Sequence, residues 1–351
     1  MANYTTINKS SEHFNTKLYT GTGSSNAITG VGFQPDWVWL KSRSNSTYHL
    51  LYDAVRGATK QIYSNTTSAE GTDTNTLTSF DSDGFSLGAD SGSGANINGY
   101  TQVAWNWKAN GAGSANTDGS INSTVSANTT SGFSIVKYTG TGANATVGHG
   151  LGVAPKMIIV KNTEATENWL VYHQSLGNTS VLKLNETSAK GSSQYYWNNT
   201  SPTSSTFSLG ASSEANTNAD VNIAYCFAEK KGYSKFGSYT GNGSTDGTFV
   251  YTGFKPAFVL WKRTEDAGYD WDMYDTARDT YNVAFKELMP NSNAAESSAT
   301  VLSLDILSNG FKLRTSNDNG NGSGKPYIYM AFAEEPLVAN SGTDGVPATA
   351  R

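Results

Sequence analysis

"GFQPDWVWLK" occupies Gly32 to Lys41, and the phrase returns as "GVAPKMIIVK" at Gly152 to Lys161 and as "GFKPAFVLWK" at Gly253 to Lys262. In every copy the lysine follows the proline by six residues. Proline presets φ and has no N–H, so it suits the first residue of a strand. The run behind it is short, β-branched or aromatic, and nearly continuous. That is the pattern of a strand buried on both faces, or at the centre of a sandwich.

Working outward, four more landmarks recur in the same order. "YTGTG" stands at Tyr19 to Gly23 and Tyr138 to Gly142, and "YTGNG" at Tyr239 to Gly243. Two glycines one residue apart favour a tight reversal between strands. "YHLLYD" ends at Asp53, "NWLVYH" at His173 and "WDMYD" at Asp275. "DGFSLG" (Asp83 to Gly88), "TFSLG" (Thr206 to Gly210) and "NGFKLR" (Asn309 to Arg314) follow. Each copy closes on "QVAWNWK" (Gln102 to Lys108), "NIAYCFAEK" (Asn222 to Lys230) or "IYMAFAEE" (Ile328 to Glu335). Ordered recurrence of this kind marks an internal triplication.

The expected fold is all-β: three tandem related antiparallel β-sandwich modules of jelly-roll or lectin-like type. A single barrel or propeller built from the three is the competing architecture. The first module spans 1–109, the second 132–231 and the third 232–337. Residues 110–131 read as a polar linker or long loop, and 338–351 as an extended tail. Helix signals are scarce. Tyr52 to Ser64 and Tyr274 to Met289 are the candidates for a turn or two of helix.

Charged residues are 15% of the chain, well under the roughly 25% usual for globular domains, which suits a rigid β-protein with uncharged polar loops. A net charge of −5 and no basic stripe argue against nucleic acid as a partner. No apolar run is long enough to span a bilayer, and the polar start "MANYTTINKSSEHF" does not read as a secretory signal. A single cysteine excludes an internal disulfide framework. Cys226 aligns with Asn106 and Ala333, which marks a small-residue packing place rather than a reactive thiol.

Chemistry-bearing motifs are thin. His13, His49, His149 and His173 have no metal-ligand spacing. "GHGLG" around His149 lacks the lysine of a phosphate loop and reads as a turn. "DSDG" at Asp81 and "NDNGNG" at Asn317 have calcium-like spelling without the distal glutamate. Asp270, Asp272 and Asp275 alternate on an expected strand, and Glu334 and Glu335 close the last one. A solvated strand face is the plain reading, against a carboxylate pair for glycoside hydrolysis. No cofactor is expected. Tyr195, Tyr196 and Trp197, with Tyr269 and Trp271, sit among polar residues. They are the candidate contacts for a glycan or receptor, since a flat ring beside amides suits a sugar.

The constellation "YTGTG…GFQPDWVWLK…LYDAVRG…FDSDGFSLG…VAWNWK", with "VGHGLGVAPKMIIVKN…WLVYHQSLG", resembles a repeat family of unassigned function. That family occurs in structural proteins of marine tailed phages, notably cyanophages. The opening "YTTINKSSEHFNTKLYTG" and the ending "FAEEPLV…GVPATAR" carry the resemblance across nearly the whole chain. In the third copy "ARD" lacks the glycine of "VRG", and "KLR" replaces "SLG". The resemblance transfers no catalytic residue. It implies a non-enzymatic virion structural protein, made in the host cytoplasm and placed on the virion surface. A tail fibre, adaptor or head decoration protein is meant, in contact with other virion proteins and with host-surface polysaccharide. A homo-oligomer, favoured as a trimer, is expected. The alternatives are a polysaccharide depolymerase of a tailspike and a purely architectural capsid cement protein.

Overall fold

The computed structural model describes residues 5–90 and 92–336. The chain is all-β and antiparallel. In each repeat the strand before the YTGxG turn pairs with the closing strand. The closing strand pairs with the proline strand, and the proline strand with the one ending in Asp or His. In the first repeat these are Phe14–Thr20, Thr101–Trp107, Trp37–Ser42 and Leu50–Asp53, followed by Lys60–Tyr63 and Gly71–Thr72. The second has Phe133–Thr139, Val221–Phe227, Met157–Asn162 and Leu170–His173, then Ser180–Lys183 and Gly191–Ser192. The third has Ser234–Thr240, Pro326–Pro336, Phe254–Arg263 and Trp271–Asp275. A small sheet packs on the outside of each: Asn26–Thr29 with Gly84–Leu87 and Leu77–Asp81, Ala145–Gly148 with Thr206–Leu209, and Phe249–Tyr251 with Gly310–Leu313 and Leu304–Leu307.

Each proline strand is buried on both faces because it has two different neighbours. Its outer face meets its own small sheet: Val38 and Leu40, Ile158 and Val160, and Val259 and Trp261 fall in three separate clusters. Its inner face meets the other two large sheets. Trp37 and Trp39, Met157 and Ile159, and Phe258 and Leu260 all lie in one common core. The repeats are therefore sandwiches fused back to back around a shared interior. The expectation of tandem modules and the competing merged architecture each capture part of this. Pro35 and Pro155 stand ahead of strands beginning at Trp37 and Met157, whereas Pro256 lies inside Phe254–Arg263 with a register shift on either side. A residue with no N–H fits such a bulge.

Several expectations need correction. Residues 110–131 are not a linker: Ser114–Asn116 and Ser123–Asn128 extend the edge of the second large sheet. Neither helix candidate is helical. The α-helices of the described residues are single turns at Gln194–Trp197, Ser213–Asn216 and Asp318–Asn321. Register also places Ala331, not Ala333, with Asn106 and Cys226, opposite Val259, Val38 and Ile158. The tail at 338–351 lies outside the described residues.

The ring of repeats is closed by three equivalent sets of hydrogen bonds. Glu70 N donates to Thr163 O, Lys190 N to Thr264 O and Glu296 N to Arg43 O, all at 2.8 Å. The indole of Trp169 donates to Tyr63 O at 2.8 Å and that of Trp271 to Lys183 O at 3.0 Å. His49 takes the tryptophan's place at the third junction. Its Nδ1 accepts from Trp39 Nε1 at 2.9 Å, which leaves the ring proton on Nε2. Nearer the centre, Tyr225 Oη donates to Asp53 at 2.8 Å, and Trp105 Nε1 donates to Asp275 at 3.0 Å.

Asp53 and Asp275 are each paired with an arginine three residues on, Arg56 and Arg278, at 2.5 Å and almost fully buried. The second repeat has His173 and Leu176 instead, and the residue facing them from the third is Met330, which has no proton to donate. His173 Nε2 donates to the Tyr329 carbonyl at 3.2 Å instead. Donor, acceptor and counter-ion thus change together. Removing one partner of a buried pair strands a charge, whereas replacing all of them does not. We expect Arg56→Leu alone to lower stability by about 3–5 kcal/mol. Adding Asp53→His and Tyr225→Met, which copies the second repeat's junction, should restore most of that loss in denaturant melts.

Candidate functional site

The recurring motifs are used structurally. In each YTGxG turn the tyrosine hydroxyl donates at 2.7 Å to the carbonyl preceding a buried asparagine: Tyr19 to Ala95, Tyr138 to Ala215, Tyr239 to Gly320. The asparagine side chain, from Asn96, Asn216 or Asn321, accepts from the backbone N–H of Thr22, Thr141 or Asn242. It donates in turn to carbonyls on both sides, for example Ala143 and Gly210 from Asn216. These asparagines escape the sequence reading. Their signal is that each stands four residues before Tyr100, Asp220 or Lys325, just outside the closing strand.

The lysines that end the proline strands are buried. Lys41 Nζ donates to Ser42 O and Asn45 O, Lys161 Nζ to Asn162 O and Ala165 O, and Lys262 Nζ to Tyr269 O. Burial lowers each to about 8. The Cys226 thiol is buried and pushed up by the same cause. His149 lies in a turn, with Nδ1 accepting from Leu151 N and Nε2 donating to Thr203 O. In "DSDG" the Asp83 carboxylate accepts from Gly30 and Gly32 N. "NDNGNG" forms the single helical turn capped by Asn317. Among the described residues no group of three or more His, Cys, Asp or Glu is placed to hold a metal ion, and no helix is long and apolar enough to cross a membrane.

The aromatic candidates divide. Trp197 is buried at the place of Leu77 in the first repeat, and its indole donates to Ser180 O at 3.0 Å while its ring meets Tyr172 edge-on. Trp271 is buried at a ring junction. Both are therefore withdrawn as glycan contacts: the turn Gln194–Trp197 points the tryptophan inward, and a junction claims the other. Tyr196 packs partly against the second sandwich core. One face of the Tyr269 ring is covered by the Arg263 guanidinium, 3.8 Å from its centroid. Tyr195 alone is well exposed, at 58%.

The third repeat buries a carboxyl where its sisters have leucine. Asp272 occupies the place of Leu50 and Leu170, and its cross-strand neighbour Trp261 that of Leu40 and Val160. Asp272 is fully buried, not on a solvated face. Asn319 Nδ2 donates to both its oxygens at 2.7 and 2.6 Å, and Glu287 hydrogen-bonds to it. Burial first, then the Glu287 bond and charge, hold Asp272 well above the usual carboxylate range. Asp270 accepts from Asn291 Nδ2 at 2.6 Å, and its N–H donates to Asn319 Oδ1 at 2.8 Å. A cavity of about 340 Å³ opens beside them, lined by Tyr269, Asp270, Glu287, Met289, Leu302 and Asn319. A second cleft, of about 350 Å³, holds Lys255 paired with Glu334 at 2.7 Å. There burial and the charge of Glu334 raise Glu335 to about 7.

Two outcomes follow. Trp197→Ala should cost about 3–5 kcal/mol in a thermal melt, as expected for a buried ring. Asp272→Leu should stabilise the fold at neutral pH by about 1 kcal/mol or more, because a buried polar group then gives way to its sisters' apolar one. The pH dependence fixes the cause. The folded pKa of Asp272 lies above its unfolded value near 4, so its contribution is present below about pH 4 and lost as pH rises through the folded value. The three lysines act in the opposite sense between about 8 and 10.5. From pH 4 to 8, then, the variant's advantage in melting temperature should grow.

No curated protein matches this chain. Residues 9–336 match a family described as a domain of unknown function, DUF7483. With nearly all of the sequence inside that match, the protein belongs to the DUF7483 family.

Proposed function

We propose that this chain is a non-enzymatic structural protein of a phage virion, displayed on the particle surface as a tail fibre, adaptor or head decoration protein and able to hold host-surface glycan. The observation that supports this reading most is the closed ring. Its recurring polar residues, from the turn asparagines to the buried Asp–Arg pairs, are engaged in joining strands and repeats, which makes a stiff body with its variable chemistry on outer loops and sheets. The motif resemblance across the chain supports the virion setting. Docking in copies set by particle symmetry, as a homotrimer or on an anchor protein, is part of the proposal. Any such contact uses outer surfaces, since the inner faces of the repeats already pack on one another.

One observation favours a second reading, a polysaccharide depolymerase. Asp270 and Glu287 line a cavity next to the buried Asp272, whose carboxyl is held above the usual range, and glycoside hydrolysis works with a pair of neighbouring carboxyl groups. The two readings separate cleanly. Immunogold labelling of purified particles should find the chain on their surface. Incubation with host envelope polysaccharide should release no reducing ends. Release that disappears in Glu287→Gln would replace the structural reading with the enzymatic one.

A further inference from the structure

The outer sheet of the third repeat departs from its sisters on its exposed face. In Phe249–Tyr251 the middle residue, Val250, is buried opposite Phe311, as Ile28 is opposite Phe85 and Val147 opposite Phe207. The flanking residues point outward. The first repeat has the exposed Ala27 and Thr29 there, whereas in the second Thr146 and Gly148 are covered by the segment 116–120, with Ser120 bonded to Thr146 and Asn116 lying over Gly148. The third presents Phe249, 43% exposed, and Tyr251, 56% exposed. The first repeat forms the same three-stranded sheet with small residues at these exposed positions, so the rings are not needed for packing.

The pairing continues the surface across three strands. Phe249 lies opposite Lys312, and Lys312 opposite Asp305. Tyr251 lies opposite Gly310, where a Cβ would run into the Val250 carbonyl oxygen and meet the Phe249 ring at 3.2 Å. Lys312 pairs with Asp246 at 2.5 Å, and Arg314 with Asp305 at 2.6 Å. Beyond the pairs a cavity of about 550 Å³ is lined by Asn282, Val283, Ser303, Asp305 and Arg314. Asn282 is fixed there by two hydrogen bonds of 2.9 Å with the backbone of Ile306.

We propose that this face binds a neutral glycan chain, with pyranose rings stacked on Phe249 and Tyr251 and hydroxyls directed to the Asp305–Arg314 pair and the adjoining cavity. Same-face residues two apart on a strand lie roughly 7 Å apart, so the rings form a platform for neighbouring sugar units rather than a single pocket. The two cations, Lys312 and Arg314, balance the two carboxylates, Asp246 and Asp305, and these pairs fix the charged groups in place. An unsulfated, uncharged polymer meets no net field there. A protein partner fits less well, because charged residues are depleted from the cores of protein interfaces. This deepens the surface-display reading and rests on it for the source of the glycan.

The test is affinity electrophoresis of the full chain through native gels containing neutral polysaccharides (a soluble β-1,4-glucan, a β-1,3-glucan, a galactomannan and dextran) or anionic ones (alginate and dextran sulfate). At least one neutral gel should retard the wild type. Phe249→Ala with Tyr251→Ala should weaken that retardation about tenfold or more while the melting temperature holds, since both rings are solvent-exposed. Tyr48→Ala, an exposed ring on another repeat, should change nothing. A wild type unretarded on every neutral gel would overturn the proposal, as would retardation only by anionic polymers or retardation unchanged in the double variant. Self-association in sedimentation that the double variant abolishes would assign the face to a second copy and overturn it too. Immunogold labelling of particles is read independently, so a failed glycan site leaves the virion placement standing or falling on its own result.

Discussion

Strands that are apolar on both faces set the terms for this molecule. A two-layer sandwich buries one face of each sheet and leaves the other to water. Trp37, Met157 and Phe258 cannot be left there, since each such side chain is worth about 1.5–3 kcal/mol when buried. The inner faces are covered only when the three large sheets turn them toward one another. The common core is thus the condition under which each repeat is stable, and the small outer sheets complete the burial on the other side.

Placing carboxylates near such a core demands partners. Asp53 and Asp275 meet it with an arginine and an aromatic N–H or O–H from the next repeat, so the same residues that neutralise a charge also lock two repeats together. The YTGxG turns obey the rule locally. A buried asparagine supplies both donor and acceptor to the backbone of the loop. Asp272 is the departure, held by two companions, Asn319 and Glu287. A carboxyl in an otherwise apolar layer is a destabilising choice that both sister repeats avoid.

Much of this was legible in the residues. The recurring phrases gave the repeat, its strands and their order, and the continuous run of "DWVWL" already called for burial on two faces. What the run does not say is what lies on the second face, because an apolar side chain carries no address. The alternation in "DWDMYD" was readable as two unlike faces, but the polar one turned out to look into a sandwich rather than into water. Trp197 looked exposed because its neighbours Asn198, Asn199 and Tyr195 are polar. One helical turn in place of a strand is enough to send the ring inward. The turn asparagines were hidden by loop length: the spacing from tyrosine to asparagine differs between Tyr19–Asn96, Tyr138–Asn216 and Tyr239–Asn321, so an alignment anchored on the tyrosine loses them.

The junction built from His173, Leu176 and Met330 has a consequence for how such a ring can change. Were the three repeats separate identical subunits, any substitution would appear at every contact at once, and a swap of an ion pair for apolar groups would have to succeed three times in the same step. Covalent fusion removes that requirement. One contact can lose its charge while the other two keep theirs, and one outer sheet can acquire rings while the others stay plain. Fusion gives up perfect symmetry, and in return a single repeat is free to diverge under selection while its neighbours hold the body together.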